Sequence, residues 1–159
     1  MAKTKPSRPA ANEASDAWYA AGLQFECTQC GNCCTGAPGY VYVSETEIET
    51  IAAFIGRPGQ GLERHQYRRV GRAISLTEDK ATGDCVFLKR TSAGKKICSI
   101  YPVRPLQCRT WPFWSSLLES RGEWDDAARD CPGMNKGKSY DFVQIEIRRT
   151  AREWGDVPS

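Results

Sequence analysis

Apolar positions along the chain recur at two different periods, and the changes of period mark its elements. Ile48, Ile51, Ala52 and Ile55 fall at i, i+3, i+4 and i+7, the stripe of an amphipathic helix. Ser44 and Glu47 ahead of it carry the S-x-x-E signature of a capping box, and Gly56 and Pro58 end it. A short strand over 40–43 precedes this helix, entered through a turn at Gly36, Pro38 and Gly39. Residues 62–70, LERHQYRRV, predict a second helix or helical turn, strongly basic. The period then shortens. RAISLTE, DCVFLKR and KKICSIY are short runs separated by DKATG and TSAG, which predicts a small antiparallel meander. Pro102, Pro105 and Pro112 exclude a long regular element where they fall. Val143, Ile147, Ala151 and Trp154 place one apolar face on a terminal helix. The chain has no internal repeat. The fold class expected is α+β: one small domain over 18–155, with short antiparallel strands, a few helices and irregular loops.

Composition narrows this picture in three ways. At 159 residues and 40% hydrophobic, the chain suits one compact domain with a modest core. No apolar run approaches the length of a membrane span, so no membrane partner is expected. Residues 1–17 are rich in Lys, Pro, Ala and Ser, which predicts a disordered basic tail. That segment has no secretory signature, so the expected compartment is the reducing cytoplasm. The net charge of +3 says little, but Arg57, Arg64, Arg68, Arg69 and Arg72 stand against the single acid Glu63. Such a run is more often a solvated face than a nucleic-acid surface, so nucleic acid is not the expected partner.

Eight cysteines change the picture most. The order is Cys27-x2-Cys30-x2-Cys33-Cys34, then Cys85, Cys98, Cys108 and Cys131. In a reducing compartment this many thiols point to metal ligation rather than disulfides, and a closely spaced quartet would be awkward to pair internally. The even interval of Cys27, Cys30 and Cys33, with a remote Cys131-Pro132, parallels the ligand run of bacterial iron–sulfur proteins. Eight thiolates also divide into two closed tetrahedral zinc sites. Neighbouring side chains are expected to diverge, which would send Cys33 and Cys34 to different centres, and Gly31 and Gly36 let the backbone bend around the pair. Softness and geometry admit both metals, and spacing alone leaves an iron–sulfur cluster and zinc both open. Cys85 opens the apolar run CVFL and could equally be core. His65, the one histidine, sits among arginines and reads as a surface residue.

FECTQCGNCC, GYVYVSETEI, DCVFL, ICSIYPVRPLQCRTWPFW and CPGM together resemble the bacterial CxxCxxCC cysteine-cluster family, the YkgJ-type proteins described as zinc- or iron-chelating domains. The likeness runs in order from about Trp18 to Met134. It implies a metal-stapled fold with Cys27, Cys30, Cys33, Cys34, Cys85, Cys98, Cys108 and Cys131 as ligands. Flagellin lysine methylases share the cysteine module and are associated with an iron–sulfur cluster, which together with the even cysteine interval tips the expected cofactor narrowly toward iron–sulfur over zinc; they are much longer, so the likeness does not imply their activity.

Arg104 and Arg109, set among prolines beside Cys108, would bring guanidinium groups near the thiolates, or would pin the loop through backbone carbonyls. Trp18, Tyr19, Leu23 and Phe25, and later Trp111, Phe113 and Trp114, would cover the site from solvent. Three functions follow. One is a metal- or cluster-binding protein, redox-active or delivering its metal. A second is an enzyme using such a centre in methyl or sulfur transfer. The third is a zinc-stapled adaptor binding a protein partner through its basic helix. No phosphate-binding loop, nucleophile elbow or paired-carboxylate motif defines a catalytic residue, and the first reading is preferred.

Overall fold

The computed structural model describes residues 16–36 and 39–151. The tail expected over 1–17 therefore lies almost wholly outside the described residues, as do Pro38 of the predicted turn and Trp154 of the terminal helix. The fold is α+β, with short antiparallel strands in small sheets. Among the described residues, 16–28 and 110–151 form one compact unit, rich in helix. Residues 29–36 and 39–109 form another, which carries most of the cysteines.

In the helix-rich unit, β1 (Leu23–Phe25) pairs antiparallel with β7 (Met134–Tyr140). The register breaks between Gln24 and Phe25, where a bulge lets Phe25 face Met134. Gly133 is required beside this break, because a β-carbon there would lie 2.1 Å from the carbonyl oxygen of Glu26. Helices α3 (Ser115–Leu118), α4 (Arg121–Asp130) and α5 (Phe142–Arg149) complete the unit. The hydrophobic pattern leaves 115–130 unassigned because α4 buries only Trp124 in an otherwise polar run; Ser120 caps it by accepting the Glu123 amide. Trp124 is fully buried and packs with Tyr19, Phe25, Phe113, Leu118, Met134, Phe142 and Ile145. The terminal helix forms, but its buried face is Phe142, Ile145 and Glu146, while Ile147 is exposed. Glu146 is admitted because it accepts the Tyr19 hydroxyl at 2.7 Å and binds Arg149 through both oxygens, at 2.7 and 2.5 Å. An apolar stripe counted by hydropathy misses a face on which a carboxylate is fully partnered.

In the cysteine-rich unit, β2 (Val41–Val43), β4 (Ala73–Leu76) and β3 (Tyr67–Val70) form a sheet in the order β2-β4-β3. Helix α1 (Glu45–Phe54) starts at the expected capping box: Ser44 accepts the Glu47 amide at 3.2 Å and Glu47 accepts the Ser44 amide at 2.9 Å. Its stripe packs as the spacing requires, with Ile51 and Ala52 fully buried and Ile48 and Ile55 half-buried against the same core. Of the helix or helical turn expected over 62–70, only a turn at 64–66 forms, and 67–70 is the strand β3. Val70 pairs with Ala73 across a two-residue loop, and Gly71 supplies the positive φ of 60° that such a hairpin needs. The expected meander is divided: β4 pairs with β2 and β3, whereas β5 (Leu88–Arg90) and β6 (Lys96–Cys98) form a hairpin of their own. A single bridge, Glu78 to Cys85, joins the two regions. The proline-rich stretch yields a 3-10 turn at Tyr101–Val103 and the five-residue helix α2 (Leu106–Thr110).

Candidate metal centre

The cysteine-rich unit links five thiols electrostatically: Cys34 feels Cys33, Cys85 and Cys108, and Cys108 feels Cys85, Cys33 and Cys98. Each arrives on a different piece of local structure. Gly31, at φ 74°, opens a 3-10 turn over Asn32–Cys34. A β-carbon at Gly31 would meet that of Lys96 at 2.9 Å, so this glycine lets the turn lie against the β5–β6 hairpin. The Lys96 ammonium donates to Asn32 Oδ1 at 2.5 Å and ties the same two segments. Cys34 accepts the Cys85 amide on its carbonyl at 2.8 Å. Cys98 ends β6 opposite Leu88, and Cys108 lies within α2.

Two expectations about these thiols need correction. Cys33 and Cys34 do not diverge: their sulfurs stand 3.9 Å apart on one side of the turn. Cys85 does not open a strand, because β5 begins three residues later and Cys85 sits in the turn before it, its carbonyl accepting the Leu88 amide at 2.8 Å. Cys85 packs against the same apolar core as Cys98, so burial alone does not set it apart from that candidate ligand.

The electrostatics are those of crowded acids. The hydrogen bond from Cys34 is the main influence on Cys33, lowering its pKa to about 7 against the opposing effect of burial, with Arg104 and Lys96 adding to the depression. The same bond drives Cys34 far above the ordinary thiol range, since it must keep the proton it donates; burial and the charges of Cys33, Cys85 and Cys108 add to this. Burial foremost, then Cys85, Cys33 and Cys98, raise Cys108, with Arg104 opposing. Burial likewise raises Cys85. These thiols cannot all ionise beside one another without a cation. Among the described residues no three His, Cys, Asp or Glu side chains are grouped tightly enough to hold an ion as they stand. The donor set is nevertheless soft, half-buried apart from the exposed Cys33, and anionic when deprotonated, and it fits a thiophilic metal.

Three candidate ligands remain. Cys30 is half-buried in the cysteine-rich unit. Cys27 and Cys131 belong to the helix-rich unit, packed on its aromatic core, where the Trp111 indole N–H donates to the Cys131 sulfur at 3.5 Å. Of the aromatic residues expected to cover the cysteines, Tyr19, Phe25 and Phe113 build that core, and Trp18 and Trp111 pack against it beside these two. Arg104 combines both roles expected of it. Its guanidinium stacks 3.8 Å from the Tyr101 ring, its Nε donates to the Tyr101 carbonyl, and its charge favours thiolate at Cys33 and Cys108. Arg109 pins the loop: Nε donates to the Arg104 carbonyl at 3.0 Å and Nη2 lies 3.6 Å from Glu47. His65 is an exposed residue paired with Glu63. The sequence reading missed Asn32, Lys96, Glu47 and Gln107 as parts of this site, because each acts on a partner about sixty residues away.

Comparison with known proteins agrees with this chemistry. The model of the CxxCxxCC family, described as a putative zinc- or iron-chelating domain, matches residues 26–132, and that description supports metal binding. The chain is also 32% identical over 95 residues to the uncharacterized protein MJ0661 of Methanocaldococcus jannaschii. That match covers 60% of this chain and 48% of the relative, so the chain spans about half of the relative's length. No solved structure matches the chain. Among the described residues no helix is long and apolar enough to cross a membrane.

Proposed function

The chain belongs to the CxxCxxCC family, and we propose that its cysteine-rich unit chelates zinc or iron through Cys33, Cys34, Cys85, Cys98 and Cys108. The observation that carries this reading is the gathering of five thiols with Cys33 and Cys34 at 3.9 Å. Two sulfurs bound to one tetrahedral ion through bonds of about 2.3 Å lie about 3.8 Å apart. That spacing suits two ligands on a single metal atom. Bound here, the metal would supply the positive charge that lets the crowded thiols ionise together. Arg104 and Lys96 assist by favouring the thiolate of Cys33. Cys33 is exposed, which suits a centre whose ion or electron passes to a protein partner.

An iron–sulfur cluster is the second reading, favoured by the even interval of Cys27, Cys30 and Cys33 and by Cys131-Pro132. The adaptor reading keeps its basic stretch over 62–70, carried by a turn and β3 in place of a helix. Anaerobic purification followed by visible absorption and analysis for iron, zinc and sulfide tests the proposal. Brown protein with acid-labile sulfide would establish the cluster, and colourless protein with bound zinc would establish a zinc site. Protein that holds neither metal would refute chelation.

A further inference from the structure

We infer that Glu47 is a positioning residue for the metal centre, its carboxylate fixing the helix that carries Cys108. The inference rests on the chelating reading proposed above. Glu47 is only 8% exposed, although it stands in the first turn of α1. A capping-box glutamate ordinarily turns back to its own N-cap and stays in solvent. This one divides its oxygens: Oε2 accepts the Ser44 amide at 2.9 Å, and Oε1 accepts the Leu106 amide at 2.5 Å. Arg109 Nη2 lies 3.6 Å from the same Oε1.

Leu106 and Arg109 bracket Cys108, so one carboxylate holds the chain on both sides of that thiol. Between them, the Gln107 amide accepts the Tyr42 N–H and donates to the Tyr40 carbonyl, each at 2.8 Å. A helix of one turn cannot hold itself in water, so these ties set where Cys108 lies. Its sulfur is within electrostatic reach of Cys33, Cys85 and Cys98, and a displaced α2 would carry it out of that group.

The geometry makes the amide analogue a sharp test. Two N–H donors meet two carboxylate oxygens, and Glu47→Gln leaves one oxygen for both, so one donor must face an amide NH2. Full-length wild type and variants would be loaded anaerobically with cobalt(II). Thiolate-to-cobalt absorption reports the number of sulfur ligands, and competition with zinc reports affinity. Cys108→Ser defines the spectrum of a centre lacking that sulfur. Glu47→Gln is expected to shift absorption toward Cys108→Ser and to lower affinity about 10- to 100-fold. Ser44→Ala weakens the cap of α1 yet leaves both amides on the carboxylate, and is expected to keep the wild-type spectrum. Should Glu47→Gln not fold, Leu106→Pro removes the same N–H from the other side at a helix position that accepts proline, with the same shift expected. A wild-type spectrum and affinity in Glu47→Gln, or in Leu106→Pro where that variant stands in, overturns the inference, as does an equal loss in Ser44→Ala. A Cys108→Ser spectrum identical to wild type overturns it while leaving chelation intact. Wild type that takes up neither cobalt nor zinc overturns the chelating reading, and the inference with it.

Discussion

Zinc binding should release at least about two protons per ion at pH 9, where four ordinary thiols would release about one. The arithmetic starts from an isolated thiol with a pKa near 8.5, about a quarter protonated at pH 9, so four ligands together hold about one proton. In the cysteine-rich unit, the hydrogen bond to Cys33, burial and neighbouring thiolates keep Cys34 protonated far above that pH. Burial and neighbouring thiolates do the same for Cys108. Cys33, lowered to about 7, is already ionised and contributes little. Metal ligation takes only the thiolate, so Cys34 and Cys108 must each surrender a proton on binding. The sign follows: affinity rises with pH, and near pH 9 it should still climb about 100-fold per unit, against about tenfold for unperturbed thiols. Titration calorimetry in two buffers of different ionisation enthalpy counts the protons. Chelator competition between pH 8 and 9.5, corrected for the chelator's own titration, gives the slope. Release of one proton or fewer would refute the crowding argument for this pair.

Removing metal under reducing conditions should lower the melting temperature, with stability restored by about 2.7 kcal/mol when free metal reaches 100 times its dissociation constant; an unchanged melt in verified metal-free protein would sink chelation. Gly133→Ala forces a β-carbon against an oxygen 2.1 Å away and strains the 3.0 Å bond from the Glu26 amide to the Gly133 carbonyl. The expected loss is about 2–4 kcal/mol in denaturant melts, and wild-type stability would show that the close approach is absent. Glu146, held below the usual carboxylate range chiefly by Arg149, stabilises the helix-rich unit above the unfolded carboxyl pKa and loses that contribution as pH falls through its lower native value. Glu146→Gln should therefore flatten the dependence of stability on pH between about 5 and 3, and a slope equal to wild type counts against the linkage. Arg104→Lys keeps the charge but loses the stack on Tyr101 and the bond to its carbonyl, for an expected cost of about 1 kcal/mol. Equal stability and metal content would dismiss a geometric role.

What could be read from the chain alone was the contiguous chemistry. The box at Ser44 and Glu47 and the Ile48–Ile55 stripe are local patterns, and α1 follows them. The β3–β4 hairpin was equally local, but its arginines were read as a helix face, and Gly71 was passed over as turn chemistry. The phase of α5 is lost because Glu146 is buried with its carboxylate partnered by Tyr19, far off in sequence, and by Arg149 on the same helix. The thiol cluster was legible as a list of ligands and not as a geometry. A repeated interval tells nothing of the 3-10 turn that swings Cys33 toward Cys34, nor that Cys27 and Cys131 pack on a separate core. The long-range ties through Asn32, Lys96 and Glu47 leave no local trace, since each is an ordinary polar residue until its distant partner is known.

Gln107 has a consequence for the unit's behaviour in concentrated solution. Strand β2 is an outer strand of its sheet, and such a strand presents a row of backbone groups on which a second molecule can build. The Gln107 amide, one donor and one acceptor spaced like a peptide group, occupies the Tyr42 N–H and the Tyr40 carbonyl along that rim. Just beside them, Tyr40 and Tyr42 stack at 5.7 Å, with Tyr40 half exposed. The side chain acts as a one-residue false strand that ends the sheet. Without it, the rim would offer unpaired hydrogen-bonding groups next to two aromatic rings, the template on which a second sheet can pair.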